Sequence, residues 1–186
     1  VRGIIVPRRA ANSARLYQSI WTEEGSPLIV NTEKLAQKVK EQISLPLAVA
    51  MRYGEPSVKA GLEELVEKGV DEILVVPLYP QYAMSTTRTV MEEVEHVKNQ
   101  IFPRVKVSYL PAFYNKEEYV GALASSIKHA LYRVDFDHLL FSYHGIPERH
   151  LKKTDPTGSH CLMSENCCST SSEAHNVCYR HQCIQT

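Results

Sequence analysis

The feature that most restricts what this chain can fold into is an alternation of two hydrophobic periods. Four apolar runs of strand length are LPLAVAMRYG (45–54), EILVVPLYP (72–80), VKVSYLPAF (105–113) and HLLFSYHG (138–145), and segments of helical pattern separate them. Short runs of apolar, β-branched and aromatic residues suit buried strands, whereas apolar residues three and four apart share one face of a helix. After the first run, Ser57 is placed to cap a helix in which Val58, Leu62, Leu65 and Val66 share a face, and Gly69 ends it. Residues 85–100 read as a second helix with a hydroxyl-rich start. Residues 115–134 read as a third. There Asn115 followed by Glu118 has the spacing of a capping box, and Val120, Leu123, Ile127, Leu131 and Val134 form the apolar stripe. Pro77 takes the end of the second run out of any ladder. This order predicts βαβ units and an α/β fold: a Rossmann-like, mostly parallel sheet. Right-handed crossovers would put helices on both of its faces.

The same reading makes the fold incomplete. The first forty residues hold two helical patterns and no convincing strand, and the chain closes on CYRHQCIQT within a helical pattern. Four strands are fewer than a doubly wound sheet normally has. We therefore expect a piece of a larger protein, with residues 1–134 a first half lacking its first strand and residues 135–186 the start of a second half. Lys and Arg number 21, as do Asp and Glu, so the basic excess of a nucleic-acid partner is missing. No apolar run approaches the ~20 residues of a membrane span, and residues 1–18 lack the apolar core of a secretory signal.

In open parallel sheets, ligands bind beyond the carboxyl ends of the strands. Arg52, Tyr53, residues 79–82 and His144 all fall at or just past such ends. An imidazole there is a ligand for transition metals and a base near neutral pH, and Gly145 and Pro147 would fix the loop that presents it. The ordinary alternative is a histidine closing a strand with one hydrogen bond. Arg52 could grip a carboxylate with two prongs, or simply pair with Glu55 on the surface. Tyr79, Gln81, Tyr82 and Met84 offer a flat apolar surface, which is also what ordinary packing uses. Ser85, Thr86 and Thr87 at a helix start suit an anion or plain capping. No glycine-rich phosphate loop is present.

The five cysteines, Cys161, Cys167, Cys168, Cys178 and Cys183, crowd into one segment with His160, His175 and His181. One dense patch in an otherwise cysteine-free chain points to a metal rather than a disulfide framework. The spacing is not the paired C-x-x-C of a zinc ribbon. It suits four thiolates around a [2Fe–2S] cluster with one cysteine spare, and zinc is the competing reading. Reduced cysteines and the missing signal favour a bacterial cytoplasm.

These residues resemble one family. LLFSYHGIPERHLKKTDPTGSHC is similar to the signature of the ferrochelatases, a strand followed by a Ser-x-His-Gly/Ser-x-Pro turn and an Asp-Pro. VVPLYPQYAMSTTRTV resembles that family's Pro-Gln-Tyr and Ser-Thr-Thr segment, and VAMRYGEPSV and IWTEEGSPL resemble two others, all in the family's order. The resemblance covers essentially the whole chain. It implies two Rossmann-like halves with a porphyrin cleft between them, and insertion of ferrous iron into a porphyrin in haem synthesis. His144 matches the residue that binds metal and accepts protons. Arg52 and Tyr53 match positions lining the cleft, Tyr17 and Ser26 further contacts, and Gln81, Tyr82, Thr86 and Thr87 a segment of its wall.

The resemblance also bears on the cysteines. Some bacterial members hold a [2Fe–2S] cluster entirely within a short segment after the histidine loop, and this chain looks like that type. In the animal-type arrangement one ligand comes from the Pro-Gln-Tyr segment, where this chain carries Met84. Family parts before Val1, and most of the second half with its acidic partner for the histidine, are not in these residues, so the 186 residues alone are expected to insert little or no iron. An apolar substrate implies transient membrane contact. The competing functions are a non-catalytic Fe–S or zinc-binding module, and a chelatase for cobalt or nickel, which His144 would also suit.

Overall fold

The computed structural model describes residues 5–186, and the chain falls into two compact units, Val1–Val70 and Asp71–Thr186. The first unit contains α1 (Ile5–Ile20), α2 (Pro27–Lys40) and α3 (Val58–Glu67). Pro27 stands in the first turn of α2, where its missing N–H costs nothing. The predicted cap of α3 forms: Ser57 Oγ accepts from the Ala60 N–H at 3.2 Å. Val58 and Leu62 are buried on the expected face. At Gly61 a Cβ would stand 3.1 Å from the Cβ of Ala50, a tight contact, so residues 48–50 pack directly on this helix. Gly69, at φ +80°, ends the turn after α3 in the left-handed region that glycine adopts at no steric cost.

The second unit is built on a parallel pair, β1 (Glu72–Val75) and β2 (Lys106–Tyr109), with Ile73 opposite Val107 and Val75 opposite Tyr109. The crossover between them carries a π-helical turn, Met84–Arg88, that runs into α4 (Thr89–Ile101). Ile73, Ala83, Val94, Val97 and Val105 are the buried apolar residues of this βαβ element. The Tyr109 hydroxyl donates to Glu95 Oε1 at 2.9 Å, joining β2 to α4. Burial and then this bond push its pKa upward. α5 (Glu117–Ala130) follows, then α6 (Glu148–Thr154), a short 3₁₀ turn at Glu173–Asn176 and α7 (Tyr179–Gln185).

The α/β class and the parallel pairing match the sequence expectation, but two of the four expected strands do not form. Residues 45–54 form no strand, and only an isolated bridge joins Met51 to Ser57. Residues 138–145 contain no strand, and Leu140 is 89% and Phe141 64% exposed. A strand is held by its neighbour's ladder, and among the described residues the only sheet is β1–β2. Pro77 does end the ladder of β1, as expected, since pairing stops at Val75. The capping box at Asn115 also fails. The Lys116 N–H bonds to the Phe113 carbonyl, which draws Asn115 into a turn, and α5 begins at Glu117 with no side-chain cap. The proposed division of the fold at residue 134 concerns halves of a larger sheet and remains a proposal.

Candidate functional site

Each unit carries part of the predicted site. In the first, Arg52 lies with its guanidinium 4.6 Å from the centroid of the Tyr53 ring, a cation–π contact, and Tyr53 is 75% exposed. Glu55 accepts from the Ser57 N–H at 2.8 Å and so helps shape the turn that follows them. Tyr17 is exposed near the end of α1. Ser26 is the N-cap residue of α2 without a side-chain cap bond, which leaves its hydroxyl outside the capping role.

In the second unit, His144 sits in the irregular 138–147 stretch and is exposed. Two residues on, Ile146 packs against a buried cluster of Leu151, Cys161, Ala174 and Cys178, together with Leu162 and Tyr179. The base of the histidine loop therefore rests on the cysteine segment. Thr86 and Thr87 lie within the π-helical turn, an element that is rare in general and frequent at functional sites. Thr87 is buried, and its hydroxyl has no hydrogen-bond partner. The Thr89 hydroxyl closes the turn on the Thr86 carbonyl at 2.8 Å. An open depression of about 490 Å³ is lined by Tyr82 and by Arg88, Met91, Glu92, Glu95, His96 and Asn99 along α4. It shares only Tyr82 with the predicted residues.

The cysteine segment is the better-built part. Cys161, Cys167, Cys168 and Cys178 are all buried, Cys183 is partly exposed, and no disulfide joins any of them. Cys161 lies close enough to Cys178, and Cys168 to Cys167 and Cys178, for their ionisations to influence one another. Burial first, and the nearby thiols second, push Cys161 and Cys168 well above the ordinary thiol range. Four buried thiols within one segment are a donor set of the right chemistry for a thiolate-bound metal. Its geometry is not preformed: among the described residues no three Cys, His, Asp or Glu side chains converge as a metal cage.

The three histidines of the segment have another task. His160 Nε2 and His175 Nε2 both donate to the Cys167 carbonyl, at 2.8 and 3.1 Å, and His181 Nδ1 donates to the Cys168 carbonyl at 2.8 Å. A carbonyl only accepts, so each of these ring nitrogens carries its proton. His175 and His181 stack with centroids 3.6 Å apart. The histidines thus hold the backbone of the Cys167–Cys168 pair.

Sequence reasoning missed two residues here. The Asp155 carboxylate accepts from the N–H groups of Thr157, His160 and Cys161 and from the Thr157 hydroxyl, at 2.7–2.9 Å. Burial alone would raise its pKa, but the backbone N–H of Cys161 and the other donors hold it well below the usual carboxylate range. This cage folds the loop that delivers Cys161, after which Leu162 adopts φ +63°. The Asp-Pro-Thr-Gly turn signal was visible in the sequence. The second residue, Gln182, left no local signal, because one of its partners is Tyr82, a hundred positions away.

With this geometry in view, the comparisons decide the family. The model of the ferrochelatase family matches residues 1–186. The chain belongs to the ferrochelatase family. It is 48% identical over 185 residues to a ferrochelatase of Pseudomonas fluorescens (strain Pf0-1), covering 98% of this chain and 54% of that protein. A ferrochelatase of Ectopseudomonas mendocina (strain ymp) is likewise 48% identical over 185 residues, with the same coverage. One from Opitutus terrae is 41% identical over 188 residues, covering all of this chain and 54% of that protein. The chain spans about half the length of the curated relatives it matches. The family brings the chelatase fold, to which the parallel βαβ element of the second unit belongs.

Proposed function

We propose that this chain forms part of a ferrochelatase, a lyase that inserts ferrous iron into a porphyrin, protoporphyrin IX or coproporphyrin III, in haem synthesis. The observation that carries the reading is the family match across all 186 residues, rather than over the cysteine segment alone. That extent disfavours a stand-alone metal-binding module. The family name also disfavours a cobalt or nickel chelatase.

In this reading His144 meets the metal and the macrocycle. Insertion replaces two pyrrole N–H protons with one Fe²⁺, so two protons must leave and the iron must shed its water. A neutral imidazole can accept a proton or coordinate the arriving ion. Its exposed place on a loop anchored through Ile146 leaves room for a substrate to reach it. Arg52, beside the Tyr53 ring, would hold a propionate, and Tyr53, Tyr17, Ser26, Gln81, Tyr82, Thr86 and Thr87 would line the cleft. The cysteine segment would hold a [2Fe–2S] cluster through four thiolates, which supplies electron-transfer capacity or structural bracing when bound. A bacterial cytoplasmic location with transient membrane contact belongs to the same proposal.

The test is a pair of assays on the intact protein. Protoporphyrin binding is followed by fluorescence and iron insertion by the haem absorption band, for the parent and for His144→Ala and Arg52→Ala. The reading requires His144→Ala to bind porphyrin without inserting iron, and Arg52→Ala to bind it more weakly. Unchanged insertion in His144→Ala overturns it.

A further inference from the structure

We propose that Gln182 is a positioning residue that couples the cysteine segment to the Gln81–Tyr82 segment, so that porphyrin affinity depends on metal loading at the cysteines. The inference rests on the reading of Gln81 and Tyr82 as cleft wall and of the cysteines as a metal site.

Gln182 is wholly buried, at 0% exposure, and among the described residues it is the largest side chain so enclosed. A buried amide is tolerated only where its polar atoms find partners. Those of Gln182 come from two distant parts of the chain. Its Oε1 accepts from the Tyr82 N–H at 2.7 Å. Its Nε2 donates to the carbonyls of His175 and Asn176, at 3.1 and 2.9 Å. A second strap runs alongside: Gln81 Nε2 donates to Thr186 Oγ1 at 3.0 Å, and that hydroxyl donates onward to the Gln182 carbonyl at 2.8 Å. The Gln182 N–H itself bonds to the Cys178 carbonyl, one helical turn back. Tyr82 is thereby tied through one side chain to the backbone on the N-terminal side of Cys178.

The coupling has a physical source. Residues 155–178 contain little regular structure and are held by the Asp155 cage, the three histidines and the buried thiols. In such a segment, metal binding contributes folding free energy directly. Ordering the segment fixes the His175 and Asn176 carbonyls, which fixes the Gln182 amide, which fixes the Tyr82 N–H. Coupling of this kind is reciprocal, so porphyrin must in turn tighten metal retention.

The test compares the intact protein as purified with metal against the same protein stripped by a chelator under reducing conditions. Hydrogen exchange at the Tyr82 amide is measured alongside protoporphyrin IX binding by fluorescence quenching. In the parent, stripping should speed Tyr82 exchange and weaken porphyrin binding about tenfold. In Gln182→Leu, Tyr82 should exchange fast in both states and the loaded-to-stripped affinity ratio should fall to about one, with metal content retained. Thr186→Val, which cuts only the second strap, should lower the ratio part-way and serves if Gln182→Leu does not fold. Equal Tyr82 exchange in loaded and stripped parent protein overturns the proposal, as does a ratio that persists in Gln182→Leu. A protein that takes up no metal overturns it together with the cysteine reading. Metal-dependent Tyr82 exchange without any porphyrin binding supports the Gln182 link and overturns the cleft-wall reading instead.

Discussion

Residues 138–145 and residues 161–182 invert what hydropathy alone would assign them. The first stretch holds Leu139, Leu140, Phe141 and Tyr143, and all four are exposed. The second is rich in Ser, Asn, Glu and His, yet it encloses Ala174 and Gln182 completely and buries four cysteines. The apolar run finds no ladder among the described residues. The polar segment finds carbonyls for its imidazoles, the Asp155 carboxylate for the Cys161 N–H, and both its own carbonyls and the distant Tyr82 N–H for Gln182. Burial is favoured where polar groups find partners, and an apolar sequence supplies only part of what burial needs.

Substitutions can break or sharpen this comparison. The largest effect belongs to the exposed stretch. His144→Ala should lower the iron-insertion rate of the intact protein at least about a hundredfold, the usual scale for a lost acid–base group, while leaving the visible spectrum of the cysteine segment unchanged. Next comes the buried segment. Cys161→Ser combined with Cys178→Ser should abolish metal uptake, read as iron per chain and as loss of charge-transfer bands, whereas Cys183→Ser should retain both. Equal loss in Cys183→Ser would redraw the ligand set.

Stability effects are smaller. Leu151→Ala should cost about 2–5 kcal/mol, since it opens a cavity beneath Ile146, and Asp155→Ala about 1–3 kcal/mol, since it strands the N–H of the buried Cys161. Both are measured by denaturant unfolding of the stripped protein. Leu140→Ser, in the exposed run, should change stability by less than about 0.5 kcal/mol. A large loss there would show that the run is covered.

One pH effect sits outside both stretches. The Tyr109 pKa is raised by burial and then by Glu95, so the folded protein holds this proton more tightly than the unfolded chain does. The resulting stability is fully present below the ordinary tyrosine pKa of about 10 and declines as pH rises beyond it toward the folded value. Tyr109→Phe should flatten that alkaline decline in thermal melts.

Much of the local structure was legible from residue order. Ser57 caps α3 because a hydroxyl before an apolar-periodic run has an N–H within reach, and Pro77 ends β1 because it has no proton to donate. Asn115 misled because a turn closing at Phe113 and Lys116 competed for the same residues. Of the proposed site, Arg52, Gln81, Tyr82, Thr86, Thr87 and His144 are named through the resemblance to the family's motifs, and their roles are proposals. Their sequence neighbours did not reveal how they are held.

By itself, the sequence determined the α/β class, the parallel order of β1 and β2, the family and the concentration of thiols between Cys161 and Cys183. The class, the pairing and the thiol patch follow from periodicity, turn chemistry and residue type within short windows, whereas the family follows from ordered motifs spread along the whole chain. Only the tertiary structure decided that the three histidines hold carbonyls, that Asp155 folds the Cys161 loop, and that Gln182 joins Tyr82 to the segment before Cys178. Hydrogen-bond partners a hundred residues apart leave no periodic trace, because what selects them is the cost of leaving a buried polar atom without a partner.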